Sequence, residues 1–178
     1  SVLDENGSEQ VTDFHMTGEV LGAEANTTGY HICTVTALED SEICSLRYRE
    51  LEAFCDRDLK IARQFRLLLG RKIVAAHQNL LILGCTNSTQ LLASFLLNLA
   101  RKFEARGFSK SEFVLRMTRG ELGSFLGLKL ETVSRTLTHF DELNLIEINQ
   151  RHVRIINLEG LKAVAKESGR AKRKTSQE

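Results

Sequence analysis

The chain has 178 residues, 42% hydrophobic and 26% charged, the balance of a globular protein with one large core or two small ones. No apolar run reaches the roughly 18 residues of a membrane span, and no basic-then-apolar opening marks a signal peptide. The net charge of +1 hides an asymmetry: residues 1–60 carry 13 acids against four bases, a balance of −9, and residues 61–178 carry 20 bases against ten acids, a balance of +10.

Such a split points the second part at a polyanion, nucleic acid ahead of an oppositely charged domain surface. The chain opens on Ser1, as a fragment or a processed product does, and reads as cytoplasmic with no membrane partner.

Residues 1–46 read as β-rich. The runs from Val11 to Met16 and from Ile32 to Leu38 are rich in β-branched residues, and Gly7, Gly18, Gly22 and Gly29 punctuate them. They are strands of a roll or barrel, too few to close one, so an earlier part of that domain is expected before Ser1. Cys33, Cys44, Cys55 and Cys85 form no C-x-x-C pair and read as free, mostly buried thiols. The five histidines show no metal-ligand spacing.

From Leu59 to Leu83 the pattern turns helical. Leu69, Ile73, Ala76, Leu80 and Leu83 follow the 4-3-4-3 spacing of a coiled-coil seam, and Leu68, Ala75 and Ile82 run beside it. One face would pack on the chain's own domain and the other on a second subunit; a buried core helix is the alternative. Gly70 costs about 1 kcal/mol against Ala, so this helix depends on packing. A second helix is expected from Ser88 to Arg106, with Leu91, Leu92, Phe95, Leu96, Leu99 and Phe103 buried. Asn87 or Ser88 caps its start, and Gly107 supplies a left-handed stop. Phe113, Leu115 and Met117 alternate as in a short strand.

The segment from Thr118 to Leu137 is the informative one. Two short helices that cross steeply need a small residue at their approach, which Gly123 supplies, and a sharp turn, which Gly127 can make at positive φ. Leu122, Leu126, Val133, Leu137 and Phe140 bury the inner faces. On the outer face of the second helix Glu131, Ser134, Arg135 and Thr138 fall at i, i+3, i+4 and i+7. A guanidinium such as Arg135 meets guanine N7 and O6, Glu131 accepts from cytosine N4, and Ser134 serves several bases. Ile146 and Ile148, then Val153 and Ile155, form a hairpin about Asn149-Gln150-Arg151. This is the wing of a winged helix-turn-helix, with Arg151, His152 and Arg154 placed for phosphate. Thr118, Arg119 and Thr138 are further candidates for the DNA backbone. No Ser/His/Asp set, phosphate-cradling glycine loop or metal-spaced carboxylate cluster is present, so no enzyme is expected.

Met117-Thr118-Arg119-Gly120, Leu126-Gly127-Leu128 and Glu131-Thr132-Val133-Ser134-Arg135 resemble the Crp/Fnr family of transcription regulators, more closely its Fnr branch. Leu130 and Ser134 stand where cyclic-AMP-responsive members carry Arg and Gly. The resemblance implies an α+β architecture: the C-terminal part of a sensory β-roll (1–57), a dimerisation helix (58–84), a winged helix-turn-helix DNA-binding domain (85–160), and a helix end with a basic tail (161–178). It implies a homodimer on double-stranded DNA, an inverted repeat of TTGAT read by Glu131, Ser134 and Arg135, and RNA polymerase as a partner of an activator. The Arg-Ser pair that holds a cyclic phosphate is missing around Gly29-Tyr30-His31. Cys44 matches the fourth ligand of the [4Fe-4S] cluster of oxygen-sensing Fnr proteins, and the other three are not in this chain. No cofactor is therefore expected in residues 1–178, and for a full-length parent the resemblance implies a [4Fe-4S] cluster and an oxygen or redox response. The alternatives are the same architecture with another effector or none, and a structural dimerisation module, which gives Glu131 and Arg135 no role.

Overall fold

A computed structural model describes residues 1–3, 7–85 and 87–166, apart from the side chain of Asn26. The basic tail at Lys172-Arg173-Lys174 lies outside the described residues. The chain divides into two compact units, Ser1–Leu80 and a second that begins at Leu81.

The first unit holds strands β1 (Val2–Leu3) and β2 (Glu9–Gln10), which pair antiparallel, then helices α1 (Ala25–Thr28) and α2 (Tyr48–Arg57) and most of α3 (Leu59–Leu83). The runs 11–16 and 32–38 are not strands. β-branched composition makes a segment fit for a sheet, but a strand exists only where a neighbouring ladder takes its N–H and C=O groups in succession; Thr34 exchanges both of its own with Ser1 at 2.8 Å, and that single pair does not extend into a ladder. Helix α2, which falls inside the segment read as roll, carries no buried residue. None of the four cysteines is buried: Cys44 is exposed, and Cys33, Cys55 and Cys85 are half-buried. The expectation of mostly buried thiols fails because the first unit has little apolar core: among its described residues Ala62 alone is a buried hydrophobic.

Helix α3 spans the predicted residues. Within the first unit Lys72 Nζ donates to the Val20 carbonyl (2.9 Å) and Asn79 Nδ2 to Asp13 Oδ1 (3.0 Å). Of its two apolar stripes, Leu68 and Ala75 are half-buried and Ile82 is buried, while Ile73, Leu80 and Leu83 are 59%, 66% and 44% exposed.

The second unit contains α4 (Ser88–Glu104), β3 (Glu112–Val114), α5 (Arg119–Leu126), α6 (Leu130–Glu142), β4 (Ile146–Asn149), β5 (His152–Ile155) and α7 (Leu158–Lys166). Asn87 caps α4 by accepting from the Gln90 N–H at 2.8 Å. The helix ends at Glu104, two residues short of expectation, and Gly107 at φ 80° turns the chain away. Its stripe is buried from Leu91 to Leu99; Phe103 is half-buried, stacked on Phe113 with ring centroids 5.3 Å apart. The sheet runs β3-β5-β4, all antiparallel, with Phe113 opposite Val153 and Ile148 opposite Val153 on the other side. Leu92 and Leu96 of α4, Leu115, Leu122, Val133, Phe140, Ile146, Val153 and Leu161 are fully buried and form one core. No buried side-chain polar atom lacks a partner among the described residues.

Candidate nucleic-acid interface

Helix α5 starts on a complete capping box. Thr118 Oγ1 accepts from the Glu121 N–H (3.1 Å), and Glu121 Oε2 accepts from the Thr118 N–H (2.6 Å). It ends at Gly127, which is left-handed at φ 66°. The Leu128 N–H then returns to the Gly123 carbonyl at 2.8 Å, so the turn folds directly back onto the first helix. A Cβ added at Gly123 would stand 2.5 Å from the Leu128 carbonyl oxygen. The absence of a side chain there is what permits the tight turn into α6.

Burial then orients α6. Val133, Thr136, Leu137 and Phe140 face the core, which leaves Glu131, Arg135 and Thr138 exposed and Ser134 half-buried. Thr136 satisfies its hydroxyl on the Thr132 carbonyl at 2.8 Å, and Thr138 donates to the Ser134 carbonyl at 3.2 Å. Glu131 and Arg135 stand one turn apart on the same outward face.

The wing is fixed to this pair. Asp141 Oδ1 on α6 accepts the Ile148 N–H of β4 (3.2 Å). At the wing tip Gln150 is left-handed, φ 54°. Arg119 Nη2 donates to the Gln150 carbonyl at 2.7 Å, and Arg151 Nη1 donates to the Arg116 carbonyl at 3.1 Å. Half-burial holds the Arg119 guanidinium below its ordinary pKa, and the neighbouring charge of Arg151 lowers it further. A compact cationic group thus sits at the start of α5.

The structure brings together Thr118, Arg119 and Arg151 near that helix start. It treats Arg154 differently. The register sets Arg154 opposite Glu147 on β4 and Glu112 on β3, and its guanidinium is ion-paired to Glu147. Sequence reasoning missed Asp141 and Gln150, whose roles are visible only once the hairpin is docked. It also missed Glu147, although two-residue alternation from the buried Ile146 and half-buried Ile148 was enough to place it beside Arg154.

In the first unit Cys44 is exposed, and no cluster of three or more metal-ligating side chains among the described residues includes it. The cluster that does occur joins Asp13, His15 and Glu19, with His15 Nδ1 3.2 Å from Glu19 Oε2. It contains no thiolate. The described residues therefore do not fit a complete [4Fe-4S] site, which takes four such ligands.

A capped first helix, a glycine-walled turn, an exposed polar second helix and a docked hairpin define a winged helix-turn-helix DNA-binding protein. Comparison with known proteins agrees. Residues 90–164 match the Crp-like helix-turn-helix domain and residues 1–58 match the cyclic nucleotide-binding domain. The chain is 46% identical over 159 residues to the transcriptional regulatory protein btr of Bordetella pertussis, covering 89% of this chain and 66% of that one. It is 37% identical over 169 residues to the fumarate and nitrate reduction regulatory protein of Vibrio cholerae, covering 93% and 68%. The solved structure of FixK2 from Bradyrhizobium japonicum superposes with a TM-score of 0.60 at 26% identity, covering 67% of this chain and 59% of that one. The chain spans about two thirds of the length of these curated relatives.

It belongs to the Crp/Fnr family of transcription regulators, and it is not an enzyme.

Proposed function

We propose that the protein binds an inverted repeat of TTGAT and ATCAA as a homodimer in the cytoplasm, acting at promoters as an activator with RNA polymerase as its further partner. The observation that carries this reading is the outward face of α6, where Glu131 and Arg135 are exposed and Ser134 is half-buried between them, on a helix fixed from both sides. No helix among the described residues is long and apolar enough to cross a membrane.

The homodimer reading rests on α3. Ile73, Ala76, Leu80 and Leu83 form an exposed ridge with half-buried Leu69 at its head, and burying such a ridge against a second copy removes apolar area from water at about 25 cal/mol per Å². Paired recognition helices would enter successive major grooves about one helical turn apart. A fluorescence-anisotropy titration against the inverted repeat and a scrambled duplex, with light scattering in parallel, tests both parts. The parent chain is expected to form a dimer at micromolar concentration and to prefer the repeat. Leu80→Glu places a charge on the ridge, so it should halve the mass and abolish the preference. A parent that stays near 20 kDa, or a Leu80→Glu dimer, overturns the ridge as the interface.

The family resemblance assigns Cys44 as one cluster ligand, with three more thiolates needed from outside residues 1–178. Anaerobic reconstitution with iron and sulfide is expected to leave this chain without a stoichiometric cluster. In a longer form that holds one, Cys44→Ser should abolish it and Cys55→Ser should not. Iron and labile sulfide analysis decides between these outcomes. A cluster in the 178-residue chain would refute the assignment.

A further inference from the structure

We propose that Arg119 is a positioning residue for the wing: by holding the Gln150 carbonyl it sets where Arg151 stands, and only a wing so held delivers the contribution of Arg151 to DNA binding. The inference rests on the DNA-binding reading and adds a dependence that reading lacks, since it makes one arginine the condition for the other.

Four observations carry it. The contact joins residues 31 apart in sequence, from the first residue of α5 to the wing tip, at 2.7 Å. Gln150 lies outside the β4–β5 ladder and occupies a left-handed backbone conformation, φ 54°, which a non-glycine side chain adopts at a cost. A two-residue turn in such a conformation persists when its surroundings fix it. The same tip is fastened reciprocally: the Leu115 N–H donates to the Arg151 carbonyl (2.8 Å), and Arg151 Nη1 donates to the Arg116 carbonyl (3.1 Å). Arg119 supplies the fastening on the α5 side. Finally, Arg119 is half-buried while Arg151 is exposed. A guanidinium spent on an internal carbonyl and partly shielded from water is better suited to hold a shape than to meet a distant phosphate, whereas its exposed neighbour can meet one.

The test is a double-substitution cycle on the 178-residue chain, with Arg119→Ala, Arg151→Ala and the pair, titrated against the inverted repeat at two salt concentrations. Amide hydrogen exchange of residues 149–152 in the free protein is the second measurement. Alanine at the first position of α5 keeps a good helix former there, and unchanged exchange in the α4 core confirms the fold. Arg151→Ala should weaken binding about tenfold in the parent and less than about twofold in the Arg119→Ala background, and the salt slope should match in Arg119→Ala and the pair. In the free protein Arg119→Ala should raise exchange at the wing tip about tenfold. Losses that multiply, or wing-tip exchange that does not change, overturn the proposal. If even the parent fails to bind the repeat, the DNA-binding reading falls, and the exchange comparison still decides whether Arg119 holds the wing.

Discussion

Arg135→Ala is expected to cost roughly 1–3 kcal/mol on the inverted repeat and to flatten discrimination at the guanine of each half-site. The reason is geometric. Arg135 is exposed at the middle of α6, where its fork can meet guanine O6 and N7 together, and no other base offers two acceptors in that place. Glu131→Ala should relax preference at the cytosine it accepts from while losing less affinity, because the carboxylate also repels nearby phosphates. Arg151→Ala should weaken every sequence alike and lower the salt slope by about one unit per bound protomer. The measurement is a titration of each variant against single-base changes in the half-site at two salt concentrations. If Arg135→Ala weakened all operators equally, Arg135 would be a phosphate contact and another face of α6 would be the reader.

The glycines of the helix-turn-helix give the second large effect, and they should differ sharply among themselves. Gly123→Ala drives a Cβ to 2.5 Å from the Leu128 carbonyl, a backbone atom that cannot swing aside. The two helices must part, at about 3 kcal/mol. For a unit of this size that is a fall in Tm of roughly 12–24 °C, with operator binding lost alongside. Gly127→Ala meets no atom within 4 Å but must hold φ 66°, so about 1–2 kcal/mol is expected. Gly120 lies near the start of α5, and its Cβ would make only ordinary contacts with Thr118 and Leu130, so Gly120→Ala should be neutral or slightly stabilising. Thermal unfolding by circular dichroism ranks the three. A Gly123→Ala variant as stable as Gly120→Ala would refute the close approach.

That ranking shows what can be read from a sequence. Gly123 and Gly127, four apart between apolar repeats, already point to a crossing and a turn, because the missing Cβ gives close approach at the first and a left-handed backbone at the second. The stripe of α4 and its Asn87 cap were legible for the same reason: helical period and capping are local properties. The wing strands were legible from strict alternation. Three features were not. The runs 11–16 and 32–38 carry the composition of strands, but pairing is a relation to another segment, and composition is silent on partners. Helix α2 was hidden although Tyr48, Leu51 and Cys55 recur at helical spacing, because five acidic and basic neighbours made the segment resemble a loop. Arg154 was read for its charge alone, and the two carboxylates that register sets beside it, Glu147 and Glu112, were not foreseen. Side chains that answer to cross-strand neighbours require the pairing to be known first.

The exposed ridge of α3 has a consequence for dose. Taken as the contact between protomers, it makes each chain incomplete as a reader until it meets another. While free protomers stay below the dimer's own Kd, the amount of dimer follows the square of their concentration, so doubling the cell's supply raises operator occupancy about fourfold. On that reading, a helix face that leaves Ile73 and Leu80 in water would set a threshold in copy number, below which the operator would be nearly empty and above which its occupancy would rise steeply.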